Sequence, residues 1–212
     1  MKSFIVPLVF LLCLASPVFA QQTNLVFQED TPITWLGLDF SQAKFIGDSE
    51  RFTTDEDVFK LMYALNVLMI GEAEKYDIGK AFKKNNVTQK LDVTVEHNKV
   101  LDPQSIVSTD LNDVKRLAPD DIQEIIAGYD FDTLKGLGLM FNVEAFSKVH
   151  NKASIFVTFI DMENKQVVLT ERFTASPKGF GLRNYWAGAV YTMLKSLKSM
   201  DYRTMRKKYT KL

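Results

Sequence analysis

The stretch LGLMFNVEAFSKVHNKASIFVTFIDMENKQVVLTERFTA, residues 137–175, decides the fold. Its first part alternates: Leu137, Leu139, Phe141, Val143 and Ala145 share one face of an extended chain, and Met140, Asn142 and Glu144 share the other. Residues 154–162 (SIFVTFIDM) are apolar on nearly every position, which suits a central strand covered on both sides. Glu163-Asn164-Lys165 then turns the chain, with Asp161 placed to accept turn amide hydrogens, and residues 166–175 return. Glu171 shares parity with Val167, Leu169 and Phe173, which points an acid inward or toward a pocket; a basic partner such as Arg183 would resolve that.

Working outward, residues 33–40 (ITWLGLDF) read as an earlier strand that ends at Asp39 before the polar loop 41–51. Thr53-Thr54-Asp55-Glu56 is a capping-box pattern that opens a helix to Tyr76. Val58, Leu61, Met62, Leu65, Leu68, Met69 and Ala73 recur at helical spacing, and Val67 and Ile70 widen the apolar stripe. Residues 78–84 suit a short second helix. Leu91-Asp92-Val93-Thr94-Val95 alternates and predicts a half-buried strand, followed by a polar stretch with another short strand near Ile106-Val107. Pro119 takes the first position of an amphipathic helix with Ile122, Ile125, Ile126 and Tyr129 on its apolar face. A final helix is expected over 183–206, with Trp186, Ala189, Val190, Met193, Leu197 and Met200 on one side. The order β-α-(α)-β-α-β-β-β-α predicts an α/β (α+β) two-layer sandwich, a mixed sheet of about 4–5 strands with helices packed on it.

The chain has 212 residues, 46% of them hydrophobic, with 26 Lys+Arg against 26 Asp+Glu. That composition excludes a disordered or collagen-like chain, and zero net charge argues against nucleic-acid binding by bulk electrostatics. Lys2, the apolar run Phe4 to Ala15, and Val18 and Ala20 at small-residue positions read as a signal peptide over residues 1–20. Pro7 and Pro17 leave that run too short for a membrane span. Cys13 follows Leu12 rather than a small residue, which argues against lipid attachment there. Residues 21–212 then hold no cysteine, so their stability rests on a core rather than on disulfides. Residues 21–32 are expected to be a flexible leader and 33–212 a single domain.

The hairpin from Ile155 to Asp161 and back through Val167-Val168-Leu169, ending in Gly179-Phe180-Gly181 before a closing helix, resembles the late part of periplasmic α/β domains. These are the amino-terminal Tol translocation and curli-secretion lipoprotein types. The run Gly-Phe-Gly-x-Arg-Asn-Tyr-Trp at 179–186 also resembles one carried by secreted bacterial proteins. The likeness covers about 60 residues of the 212, and the chain departs from the lipoproteins by lacking their lipid-site Cys and by turning through Asn164-Lys165. The resemblance implies an envelope location, periplasmic or secreted, and a binding or assembly role; it brings no catalytic residue.

The densest candidate site is Lys178, Gly179, Gly181, Arg183, Asn184 and Trp186. A glycine turn leading into a helix leaves backbone N–H groups aimed at one point, which suits an anion. Lys178 and Arg183 would add charge, Asn184 directional hydrogen bonds, and Tyr185 or Trp186 a stacking face. The plainer reading is that the glycines relieve strain and Trp186 fills the core. Seven basic residues between Lys195 and Lys211 could touch anionic lipid headgroups or an acidic partner, or could only complement a helix end and keep the tail solvated. Seven acids lie between Asp110 and Asp132, and attraction between the two stretches is one further option.

No nucleophile elbow, zinc-protease motif or Walker loop occurs, no cofactor or metal site is read, and no residue is assigned as catalytic. His97 and His150, the only histidines, read as solvated loop residues. A carboxylate-only hydrolase acting on envelope or imported glycans leaves no sequence signature, and Asp39 with Asp161 would be its first pair. The preferred reading is a non-enzymatic binding or assembly domain that contacts an envelope protein or a small anionic ligand. It involves no nucleic acid and no transmembrane segment after cleavage, with peripheral membrane contact through the basic C-terminal helix as an option.

Overall fold

The computed structural model describes residues 22–47, 50, 52 and 54–210. The expected signal peptide, its cleavage site and Cys13 lie outside the described residues.

Among the described residues seven strands form one mixed sheet: β1 Ile33–Asp39, β2 Lys44–Ile46, β3 Val87–Gln89, β4 Val107–Ser108, β5 Leu137–Ser147, β6 Lys152–Asp161 and β7 Gln166–Ala175. A mixed sheet with helices packed on it is what the sequence predicts; β5 falls where period two places it, β6 on the apolar run, and β7 on the return after the turn. β5 organises the rest. One edge pairs antiparallel with β6 over its whole length, from Leu137↔Asp161 to Ser147↔Lys152. The other edge is shared in series by β1, parallel over Leu137 to Asn142, and by β2, parallel over Ala145 to Ser147. β3 and β4 extend β1 and β2 outward, and β7 extends β6.

Alternation along these strands feeds two cores. Trp35, Leu38, Phe141, Val143, Ile155, Val157, Phe159 and Leu169 face a layer made by α2 Asp55–Gly71, α3 Ile78–Phe82, α7 Leu182–Ser196 and α8 Tyr202–Tyr209. Leu36, Met140, Phe156 and Ile160 face the other way, onto Ile122 and Ile126 of α6 Pro119–Ala127 and onto Tyr129 and Phe131. A bulge between Val143 and Ala145 shifts the parity, so Phe146 rejoins the first core although it is five residues past Phe141.

Three readings of the sequence are corrected. Residues 91–95 are not a strand; Leu91 opens α4 Asp92–Lys99. Five alternating residues are too few to separate period two from 3.6, and Leu91, Thr94 and Asn98 share a buried helical face. α2 stops at Gly71, leaving Ala73 exposed, and it buries Asn66 while Val67 is exposed. Its capping box sits one residue later than expected, with Thr54 and Asp57 as the reciprocal pair. Residues 22–26 form the short helix α1; Val26 and Phe27 are buried and the Lys84 ammonium donates to the carbonyls of Leu25 and Gln28, at 3.1 and 2.5 Å. Short β2 and β3, three residues each, carry too little pattern to be read beforehand.

Asn66 explains itself through the backbone it serves. β3 pairs β1 only through Trp35, so the outer edge at Leu38 has no strand beside it. The Asn66 side chain fills that place: Leu38 N–H donates to Oδ1 at 2.7 Å, and Nδ2 donates to the Leu38 carbonyl at 3.0 Å. Asn98 of α4 continues the ladder, accepting from Phe40 N–H at 2.9 Å and donating to the same Leu38 carbonyl. Gly37, at φ +103, makes room, since a Cβ there would sit 2.5 Å from Asn66 Oδ1.

At the far edge, Gln123 of α6 holds the Lys165 carbonyl and the Val167 N–H, and the Tyr209 hydroxyl of α8 reaches the Thr170 carbonyl. α8 is joined to α7 by a π turn, Leu197–Asp201, whose wider register sets the Asp201 carboxylate against the Ser196 hydroxyl.

Asn66→Leu keeps the branched shape but strands the Leu38 N–H and leaves the Leu38 carbonyl to Asn98 alone, and is expected to cost about 1–3 kcal/mol by urea denaturation; a loss below about 0.5 kcal/mol would overturn this role. Burial pushes the Lys84 ammonium down to about 8. The folded state therefore binds fewer protons than the unfolded chain between that value and the ordinary lysine range. Stability is then expected to rise with pH from about 8 to about 10.5 in the native chain and not in Lys84→Met, compared by urea midpoints.

Candidate functional site

The predicted site residues do not share one environment. Lys178, Gly179, Gly181, Arg183 and Asn184 are exposed at the turn into α7, and Phe180 between the glycines is 96% exposed. Trp186 is fully buried and stacks on Phe146, centroids 4.7 Å apart and planes 5° from parallel. It fills the core, as the plainer reading had it, and offers no stacking face. Arg183 Nε donates to Asn184 Oδ1 at 3.1 Å. Glu171 is instead held by Lys208 Nζ at 2.6 Å and the Tyr209 hydroxyl at 2.7 Å, which replaces the expected partner.

The two glycines are required for different reasons. Gly179 has φ +140, and a Cβ on it would meet the Asn184 carbonyl at 2.6 Å; Gly181 has φ +78 with open space around it. Further along α7, a Cβ at Gly188 would lie 1.8 Å from the Lys178 carbonyl. The turn is thus clamped onto the helix that follows it. Tyr185 extends it sideways: its hydroxyl donates to Asn151 at 2.8 Å, and Lys148 Nζ lies 3.7 Å from its ring centroid.

The acids singled out for catalysis do not converge. Asp39 pairs with Asn142 across β1 and β5, and Asp161 with Leu137 across β6 and β5. Five strand residues separate those positions, roughly 16 Å along the strand, well beyond the spacing of a glycosidase pair. Asp39 is buried, and its carboxylate accepts from Ser41 N–H and hydroxyl, Tyr129 hydroxyl and Asn142 Nδ2. Burial first, and then the Asp39 charge, holds the Tyr129 phenol well above its ordinary range, so it stays a donor. From Asn142 the chain of bonds runs to Thr158 and Thr170, crossing the sheet from β1 to β7.

Asp161 accepts from the Asn164 N–H and side chain as the turn reading expects, and from Gln22. It borders a hollow of about 500 Å³ lined by Leu25, Ile33, Leu137 and Val168. Glu163 lies on the same rim, paired with Lys135 at 2.8 Å. Both acids are therefore partnered.

Sequence reading missed Glu144, which is fully buried at the β5 bulge. Arg172 grips it with two bonds, Nε to Oε2 at 2.8 Å and Nη2 to Oε1 at 2.9 Å. Ser154 hydroxyl and Leu117 N–H donate to the same carboxylate at 2.6 and 2.7 Å. The parity of Glu144 with Met140 and Asn142 was the available signal; nothing in sequence marked that face as covered. With Arg172 laid over the Phe156 ring and also bonded to the Leu117 carbonyl, this is a brace between sheet and the 111–131 segment.

His97 is not a loop residue: it lies on α4, half-buried, stacked on Tyr129 at 4.0 Å. His150 is exposed and bonds Ser147. Asp110, Asp113, Asp121 and Asp130 of the acidic stretch accept from nearby backbone or hydroxyl groups, and among the described residues no ion pair joins that stretch to the C-terminal cations. Among the described residues no helix is long and apolar enough to cross a membrane.

No family model matches the chain, and no curated protein does. Similar solved structures include the LpoB C-terminal domain from Salmonella enterica, at 8% identity and TM-score 0.30, covering 74% of this chain and 95% of that one. A neuraminyllactose-binding hemagglutinin homolog from Helicobacter pylori matches at 13% identity and TM-score 0.28, covering 87% of this chain and 94% of that one. At these values neither assigns a family.

Removing Arg172 should leave Glu144 buried without its counter-charge. Arg172→Met is expected to cost about 3 kcal/mol, and adding Glu144→Gln to recover part of it, in a double-mutant cycle read by urea denaturation. Additive losses would show the pair uncoupled.

Proposed function

We propose that this chain is an exported domain of the bacterial envelope, periplasmic or secreted, that binds a partner and carries out no reaction. The binding surface is the end of the sheet at the turn 178–184. The observation that carries this reading is Phe180, 96% exposed between Lys178 and Arg183 on a turn whose backbone comes close to α7 at two places, Gly179 against Asn184 and Lys178 against Gly188. A large apolar side chain held rigidly in solvent costs solubility and supplies no stability to the fold, which is the usual mark of a contact residue. Preorganisation lowers the entropy lost when a partner engages it.

The carboxylate-hydrolase alternative has no observation in its favour, since Asp39, Asp161, Glu144 and Glu163 are each taken up by protein partners. The expected export tag supports the location, and the 179–186 resemblance points the same way.

Photocrosslinking tests the surface. With benzoylphenylalanine at position 180, adducts to envelope material are expected; at the control position Tyr63, on the exposed side of α2, they are not. Equal yields at the two positions would overturn this assignment.

A further inference from the structure

Two turns meet at this end of the molecule. Residues 148–151 join β5 to β6, residues 176–181 join β7 to α7, and Tyr185 ties them together through Asn151 and Lys148. Each turn lifts one apolar side chain into solvent, Phe180 at 96% exposure and Val149 at 56%. Within three residues of one or the other in sequence stand Lys148, Lys152, Lys178 and Arg183, all exposed. The segments Ala145–Ile160 and Phe173–Met200 contain no Asp or Glu. Asp48, next to Gly47 against which Val149 packs, lies outside the described residues.

Resting on the reading of this end as the binding surface, we infer that its partner is an anionic phospholipid surface. Phe180 and Val149 enter the interfacial layer, and the four cations face the headgroups. The charge is of one sign in both turns, which is what a negatively charged leaflet attracts. The apolar tips stand on separate turns, each with exposed cations close to it in sequence. A protein hot spot instead gathers its apolar groups into one desolvated centre, whereas fluid acyl chains close around each tip separately. Lysine stems can lie along the apolar layer with their ammonium groups at the phosphates, and the Tyr185 ring under Lys148 has the mixed character favoured at that depth.

The basic C-terminal helix is the poorer candidate for the same role. α8 turns Tyr202 and Met205 into the core, and Lys208 is occupied by Glu171. It therefore presents charge with no aromatic tip.

The test is co-sedimentation of residues 21–212 with vesicles of phosphatidylcholine alone or mixed with phosphatidylglycerol. Binding is expected only to the mixed vesicles and should weaken with added salt. Phe180→Ser should lower the partition coefficient about tenfold, and Lys178→Ala or Arg183→Ala about fivefold each. Thermal melts of all three should match the native chain because the side chains are exposed. Equal binding to both vesicle types, or an unchanged Phe180→Ser, would overturn the inference. Crosslinks from position 180 to an envelope protein, without vesicle binding, would keep the surface and reject the lipid; neither result would reject both.

Discussion

Every layer of this fold depends on β5 being paired along both edges. β6 takes one edge without interruption, while the other is divided between β1 and β2, so the chain must leave the sheet at Asp39 and re-enter at Lys44. That detour is affordable because Asp39 is not left idle at the break. Its carboxylate gathers Ser41, Tyr129 and Asn142, fixing the departing loop, the segment after α6 and the central strand at one point. The bulge at Glu144 then corrects the parity so that Phe146 reaches Trp186 beneath α7. Backbone geometry at two positions on β5's edges thus decides which side chains meet.

The hairpin and the closing helix were legible because each carries many residues of one period. β5 and β7 alternate along most of their length, β6 is an apolar run too short for a buried helix and bounded by turns, and α7 repeats its apolar residues over several turns. Leu91 to Val95 was misread for lack of length, and the π turn inside the last helix leaves no local mark because its residues satisfy either register. The polar ladder on the second face was invisible for a different reason. Asn142 and Thr170 look like parts of a solvated strand face, and Thr158 like an interruption of an apolar run, until α6 and the 111–131 segment are placed over them. Asn66 has the same character: an amide inside an apolar helix reads as an interruption, and only the unpaired edge at Leu38 turns it into a structural requirement.

Of the proposed site, the glycine turn was legible as a turn, and its exposed cations as cations. The separation of Trp186 from its neighbours was not, since the first turn of α7 carries solvent-facing Arg183 and Asn184 beside a wholly enclosed indole. Helical phase alone assigns those roles once the direction of α7 over the sheet is known. The same phase places Tyr185 between the two turns, where it joins parts of the chain that are more than thirty residues apart.

The wider winding at Leu197–Asp201 has a consequence at the opposite margin of the sheet. By redirecting the end of the chain, it brings Tyr209 onto the Thr170 carbonyl, while Gln123 occupies the backbone groups at Lys165 and Val167. β7 would otherwise present a ten-residue row of open peptide groups to any other extended segment. The tail therefore works as a stopper against sheet growth from one molecule to the next.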